Sequence, residues 1–483
     1  KMIDSKLIKR LQAVVGKQYV LNKDSDLITF EYDGSVDRSQ PTVVVLPKST
    51  NEVSELMKIA STAEIAVVAR GAGTGLSGGA IAEQGGILLS LNRMNHIIEI
   101  DEKNQIAVVE PGVVNLELTQ AVSKFDLYFA PDPSSQQACT IGGNIAENSG
   151  GPHCLAYGVT TNHVLGIEVV TADGEISWYG SRTREHPGYD LRGIMIGSEG
   201  TLSIVTKAIL RLSRKPESVK TVLAIYKDLD QASAAVAEVI GSGIVPAAME
   251  MMDDLAIKAV EPAVNAGYPK NAGAVLLVEV EGLIESVEEE SFEIEKVMDN
   301  HKPLEIRVAK NDQDRAKLWA GRKGALGALG RLAPNYYLID GTIPPSSLVE
   351  VMSMIKEISA EYNVPIANVL HAGDGNLHPA ILFDERNSRE TQLAFEIGGK
   401  ILKLCVDKGG ALSGEHGIGI EKRQYMPYMF NKDDLKYMSK LKNVFDSNSL
   451  LNPGKIFPVE SEQSKTNFSQ SSSVSNTGND AYI

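Results

Sequence analysis

The chain has 483 residues, 43% of them apolar, which is room for two or three globular domains. A net charge of −15 argues against nucleic acid and against an anionic membrane surface as main partners, but not against a small acid held by a local basic group. Three widely spread cysteines (Cys139, Cys154, Cys405) form no disulfide framework, no apolar run nears the roughly 18 residues of a membrane span, and no signal peptide is visible. A cytoplasmic setting is expected, with peripheral contact at the inner face of a membrane left open.

Residues 2–40 read as a helix, with Leu7, Leu11, Val14 and Val15 at helical spacing, and a polar connection. A β-rich run at 42–46 follows. Ser49-Thr50-Asn51-Glu52 has the form of a capping box, and the helix it opens carries Val53, Leu56, Met57 and Ala60 on one face. A strand at 65–69 completes a β-α-β unit. Then Arg70-Gly71-Ala72-Gly73-Thr74-Gly75-Leu76-Ser77-Gly78-Gly79 exposes successive backbone N–H groups, the makings of an anion nest. It is no Walker A loop, because no Gly-Lys-Ser/Thr follows. Gly73, Gly75 and Gly78 spell G-x-G-x-x-G, but residues 80–86 have no helical face and 87–91 look like another strand, so a Rossmann loop is rejected. A phosphate-cradling loop between strands is expected, in preference to a flexible glycine linker.

Strands at 97–100 and 106–110 and a short helix at 114–124 come next. Pro131-Asp132-Pro133-Ser134-Ser135 interrupts regular structure. A second glycine-rich stretch at 140–151 holds Thr140, Gly142, Gly143, Asn144, Ser149 and Gly150. A third glycine-bearing turn at 196–205 includes Gly200 and Val205. One such loop is enough for a phosphate; several, spread over about 130 residues, suggest a long cofactor lying along the domain.

In His371-Ala372-Gly373-Asp374-Gly375-Asn376-Leu377-His378, Asp-Gly between apolar runs predicts a two-residue hairpin turn. With Asp374 and Gly375 at its centre, His371 faces His378 at a Cβ separation of about 5 Å. Two imidazoles so placed can share a metal ion, though one histidine alone is more often a satisfied polar residue. In Ser413-Gly414-Glu415-His416-Gly417, adjacent side chains point apart, so Glu415 can complete a set of two imidazoles and a carboxylate while His416 serves as a base. The bland alternative is a solvated Glu-His pair on a glycine loop.

In that order, the stretches at 70–79, 131–151 and 196–205 resemble the flavin-binding domain of the vanillyl-alcohol oxidase / p-cresol methylhydroxylase fold. The 371–378 and 415–416 motifs narrow the resemblance to the FAD-linked 2-hydroxy-acid dehydrogenases, which include D-lactate dehydrogenase, D-2-hydroxyglutarate dehydrogenase and the glycolate oxidase flavin subunit. Leu318-Trp319-Ala320-Gly321-Arg322-Lys323, followed by Tyr336-Tyr337-Leu338-Ile339-Asp340-Gly341-Thr342-Ile343-Pro344, looks most like the last of these. The resemblance spans roughly residues 20–458 by collinear motifs. It implies an α+β protein: a two-part FAD-binding domain, a ferredoxin-like α+β cap, and a C-terminal helical segment returning to the flavin. The expected divisions are an N-terminal helical segment at 1–40, the FAD-binding domain at 41–214, the cap with its metal site at 215–430, the returning segment at 431–458 and a Ser/Asn/Gln-rich disordered tail at 459–483. A strand–helix alternation over 221–309 agrees with the cap.

For the site, the resemblance implies that the 70–79 loop wraps the FAD pyrophosphate. Pro131, Thr140, Gly142, Gly143, Asn144, Ser149, Gly150, Gly200 and Val205 would hold the rest, with Asn452 against the flavin. His371, His378 and Glu415 would bind a divalent metal (zinc, manganese or iron), and His416 would be the general base. Arg322, with Lys323 second, would grip the substrate carboxylate, unless Arg322 is only a surface residue. Trp319 reads as core packing. Gly324, Ala325 and Leu326 leave no polar group for a second carboxylate, which favours D-lactate or glycolate over 2-hydroxyglutarate. His153 is the residue other branches of the fold would use to attach flavin covalently, but the resemblance points to non-covalent FAD. The expected activity is oxidation of a small D-2-hydroxy acid to the 2-oxo acid, with electrons passed to a quinone, a dye or a partner protein, since three cysteines make no iron–sulfur cluster. The alternatives are one subunit of a multi-subunit glycolate oxidase, a non-redox metal-binding protein, and, least supported, an NAD enzyme. A homodimer is compatible with all of them.

Overall fold

The computed structural model describes residues 3–185 and 187–459. Beyond its first residue, the tail expected at 459–483 lies outside them. The first helix, Ser5–Val15, begins where Asp4 accepts a hydrogen bond from Leu7 N at 2.8 Å, and it buries Leu7, Leu11 and Val15. Helix Thr50–Ala63 follows its capping signal: Ser49 Oγ accepts from Glu52 N at 3.3 Å. The Glu52 carboxylate turns back to Lys48 N, at 2.7 Å, one residue beyond the expected partner.

The β-α-β unit is present, but its strands are not neighbours. Val43–Val45 and Val67–Arg70 both run parallel to Ile87–Ser90, which lies between them. All three residues of the first strand and all four of the inserted one are buried, as parallel strands covered on both faces require. The second sheet is antiparallel, in the order Ile97–Asp101, Ile106–Val109, Ile204–Arg211, Val164–Val170, Ile176–Gly180.

The cap is an eight-stranded antiparallel sheet. Its strand Ser218–Tyr226 shows why it is covered on both faces: Val222, Ala224 and Tyr226 enter one core, and Leu223 and Ile225 enter the other. The expected ferredoxin-like alternation supplies Ser218–Tyr226, Leu229–Gly241, Ala274–Gly282, Ile284–Asn300 and Glu305–Val308. The sheet then grows through Ala248–Asp253 to Ile366–His371, Asn376–Phe383 and Asn335–Leu338. After helix Lys432–Phe445 the chain returns to the first sheet, where Val67 N donates to Leu450 O and Asn452 N donates to Val67 O, both at 2.8 Å. Among the described residues no helix is long and apolar enough to cross a membrane, and the three cysteines are unpaired.

Candidate active site

The glycine loops and the cap enclose a cavity of about 1480 Å³, counted with its open mouth. Arg70, Gly71, Ala72, Gly73, Thr74 and Gly75 line it from the first loop, and Gly200 and Val205 from the third glycine-bearing stretch. The second stretch is not the expected loop but helix Ile141–Glu147 with its flanks, capped where Thr140 Oγ1 accepts from Gly143 N at 3.3 Å, and it contributes Thr140, Gly142, Gly143, Asn144 and Ser149. At Gly75 and Gly200 an added Cβ would meet nothing within 4 Å, so bare backbone faces open space there, a cradle for a ligand that approaches the main chain. At Gly71 a Cβ would lie 2.3 Å from Thr140 Oγ1, so that glycine lets two loops touch. The Arg70 guanidinium braces its loop from beneath, donating to Tyr32 O at 2.7 Å.

Five of the expected cofactor positions stand behind this wall. Ser77 is fully buried and its carbonyl accepts from Ile420 N at 2.9 Å, while a Cβ on Gly78 would press on Ile420 at 3.2 Å. The Pro131 carbonyl accepts from Asn115 Nδ2. Gly150 lies on the far side of Glu415, in a smaller cavity. Asn452 is placed one layer back from the cavity: its Nδ2 donates to Gly79 O at 2.8 Å and Glu199 O at 2.7 Å, tying the first loop to the third.

The cap supplies the opposite wall: Arg322, His371, His378, Glu415 and His416. The hairpin differs from its expected register. His371 pairs with Asn376 and Val369 with His378, because four residues, 372–375, form the turn. The shift moves each partner by two residues, which preserves the face, so the two rings still lie 5.1 Å apart, now as a diagonal pair. Glu415 Oε1 is 3.2 Å from His371 Nε2 and 3.1 Å from His378 Nε2. The outer nitrogens are supported as metal-binding imidazoles need, His371 Nδ1 by Glu250 Oε1 at 2.7 Å and His378 Nδ1 by the Ile339 carbonyl at 3.4 Å. Burial alone would raise the Glu415 carboxyl, but the two histidines hold it well below the usual carboxylate range. Two imidazoles and one carboxylate with a side open to the cavity suit a catalytic divalent ion.

His416 stacks on His378, centroids 5.1 Å apart, and burial pushes its imidazole down to about 4, so it is neutral at neutral pH. Arg322 sits in helix Asp312–Ala328 with its Nε 2.6 Å from Glu250 Oε2. Lys323, the second choice for a carboxylate clamp, points elsewhere: it is exposed, with Nζ 5.6 Å from the Trp319 ring centre. One helical step of about 100° separates the two residues, which is why only one reaches the cavity. Trp319 is buried and donates Nε1 to Glu279 Oε2 at 2.8 Å. His153 lies outside the cavity wall, with Nδ1 on Asp132 and Nε2 on Glu279.

Two positioning carboxylates lie within the quoted motifs but are given no role by them. Fully buried Asp340 accepts from Ser413 Oγ at 2.6 Å and from the backbone N–H groups of Gly414 and His416 at 3.1 and 2.9 Å. Glu199 accepts from Ile418 N and Gly419 N, each at 2.7 Å. Their signal is a lone acid beside apolar sequence, Leu338-Ile339-Asp340 in one case and the Ser198-Glu199-Gly200 turn in the other.

Comparison with known proteins agrees with this geometry. The FAD binding domain family matches residues 41–180, and the C-terminal domain of FAD linked oxidases matches residues 215–456. The glycolate oxidase subunit GlcD of Escherichia coli K12 is 45% identical, over 91% of this chain and 88% of its own. A D-lactate dehydrogenase of Archaeoglobus fulgidus is 35% identical, over 86% and 91%. The crystal structure of p-cresol methylhydroxylase with substrate bound superposes with a TM-score of 0.78, covering 93% of this chain and 96% of that one, at 17% identity, which speaks to the fold alone. Glycine loops that merely shape a non-redox metal protein are thereby ruled out. The chain belongs to the FAD-linked oxidases and is an FAD-dependent oxidoreductase of the 2-hydroxy-acid dehydrogenase family.

Proposed function

We propose that the chain oxidises a small D-2-hydroxy acid, D-lactate or glycolate, to the 2-oxo acid and passes the electrons to an acceptor other than NAD. The observation that carries this reading is the convergence of Arg322, His371, His378, Glu415 and His416 on one wall of the cavity whose other wall is glycine loops. The names of the two relatives support the substrate class. Residues 41–214 form the FAD-binding unit in this reading, 215–430 the cap and 431–458 the returning segment.

Residues 70–75, 140–149 and 200–205 would hold FAD, which would supply a two-electron oxidant able to accept a hydride. His371, His378 and Glu415 would hold a divalent ion, which would supply Lewis acidity beside the bound acid. Arg322 grips the substrate carboxylate and fixes which face of Cα is presented. His416, neutral and half-buried at the cavity wall, takes the hydroxyl proton as the Cα hydrogen leaves with its electron pair. Leu326, one turn after Arg322, lines the cavity and offers no partner to a second carboxylate, which favours a monocarboxylate. A second reading keeps this chemistry within a larger glycolate oxidase, and the GlcD relative, named as a subunit, favours it.

The test is an anaerobic visible spectrum of the flavin-loaded protein, before and after D-lactate or glycolate. Bleaching of the flavin bands is expected with at least one of them, and the faster of the two ranks the substrates. Unbleached flavin with both acids would sink the substrate assignment.

A further inference from the structure

We infer that Glu250 is a positioning residue that fixes the carboxylate-gripping arginine and the metal-binding histidine in one relation to each other. The inference rests on the roles proposed for Arg322 and His371. Glu250 lies in strand Ala248–Asp253, where every residue is buried and methionines flank it on both sides. Antiparallel pairing sets it directly opposite His371. Its side chain is 1% exposed, a placement that costs a carboxylate heavily unless charge meets it.

Two groups meet it, one on each oxygen. Oε1 lies 2.7 Å from His371 Nδ1, and Oε2 lies 2.6 Å from Arg322 Nε. The second contact is ionic without hydrogen-bond alignment, since both its atoms lack a hydrogen-bond partner. Each contact decides what its partner presents. With Nδ1 engaged, His371 offers Nε2 to an ion. With Nε facing Glu250, the guanidinium keeps its terminal nitrogens for a substrate carboxylate, and among the described residues they make no hydrogen bond. A single carboxylate therefore sets the distance and angle between the grip on the acid and the ion that would receive its hydroxyl. Neither partner can move without disturbing the other.

The experiment compares Glu250→Gln, Glu250→Asp and Arg322→Met with the wild-type flavoprotein. Glu250→Gln keeps the shape and an acceptor for His371 but removes the charge facing Arg322. Glu250→Asp keeps the charge and shortens the reach, so it cannot hold both partners. The readouts are KM and kcat for the hydroxy acid, and zinc affinity measured by competition with a chromophoric chelator. For Glu250→Gln, KM is expected to rise roughly tenfold or more with kcat changed less, and zinc affinity to fall about tenfold. Glu250→Asp is expected to shift at least one of the two by roughly fivefold or more, and it decides the matter if Glu250→Gln does not retain flavin. Glu250 variants that keep flavin, lose only thermal stability and leave KM and zinc affinity within about twofold would overturn the inference, provided Arg322→Met raises KM. If Arg322→Met leaves KM unchanged and zinc removal leaves the flavin reducible by substrate, the reading of the site itself has failed and this inference falls with it.

Discussion

Asp340 shows how much one buried carboxylate can organise. It receives a hydroxyl and the N–H groups of the segment carrying Glu415 and His416, and it faces buried Lys422 at 3.8 Å. Burial alone would raise its carboxyl, but His416 and Lys422 bring it below the ordinary value, so it stays ionised. Asp340→Asn removes that charge and swaps an acceptor for a donor. We expect a loss of about 2–4 kcal/mol in urea unfolding, together with a fall in kcat as Glu415 and His416 lose their anchor. His416→Asn should separate the two effects: kcat falls roughly 10²- to 10⁴-fold while the urea midpoint stays near wild type. An equal stability loss in both variants would mean that His416 is structural. Lys323→Ala, an exposed change outside the cavity, should leave KM within about twofold, and a large rise would restore Lys323 as a carboxylate clamp.

The hairpin that carries His371 and His378 depends on its turn. Gly375 has φ +74, and a Cβ there would lie 2.1 Å from the Ile343 carbonyl oxygen. Gly375→Ala must move backbone, so we expect a cost of at least about 1–3 kcal/mol and a drop in bound zinc as the rings separate. Gly327, in the helix that carries Arg322, is the opposite case: a Cβ meets nothing within 4 Å, so Gly327→Ala should raise stability by about 0.5–1 kcal/mol. Thermal melts of the two variants should move in opposite directions; a Gly375→Ala protein as stable as wild type would show that the turn tolerates another form. The same hairpin marks what sequence can and cannot tell. Asp-Gly announced a turn, and alternation announced which residues share a face. Turn length set the register, and it differed by two, a slip that side-chain periodicity cannot detect because its period is two. The start of the helix at residues 50–63 was legible through Ser49, whose side-chain oxygen meets a local N–H group. The insertion of Ile87–Ser90 between two earlier strands was not, since it is decided by long-range packing. Glu250 was hidden for the same reason: its meaning depends on a strand 121 residues away.

At the scale of the whole molecule, the cap is fastened to the flavin-binding part by partly buried ion contacts as well as by apolar packing. The clearest is His153, from the loop after the second glycine stretch, held between Asp132 at 2.7 Å and Glu279 of the cap at 3.2 Å. Trp319 stacks beside it, Arg315 shares Glu279, and Tyr157 donates to Glu281 nearby. Burial would lower the His153 imidazole, but Asp132 and Glu279 outweigh it and raise it to about 10. The unfolded chain loses this proton near pH 6.5, whereas the folded protein keeps it until about 10. The folded state therefore binds one proton more across that window. The contribution is full below about 6.5 and declines as pH rises, by up to about 1.4 kcal/mol per pH unit. Glu279 has the opposite sign: its carboxyl is depressed, so its share is present above the ordinary carboxylate range and is lost in acid. Other groups titrate over the same interval, Lys455 among them at about 8, so the absolute slope mixes several terms. The difference between wild type and His153→Gln isolates this one. Urea unfolding at pH 7, 8 and 9 should show the wild-type advantage shrinking at each step and nearly gone by pH 10. A constant difference across that range would mean that His153 is neutral in the folded protein and joins the two parts by packing and neutral hydrogen bonds alone.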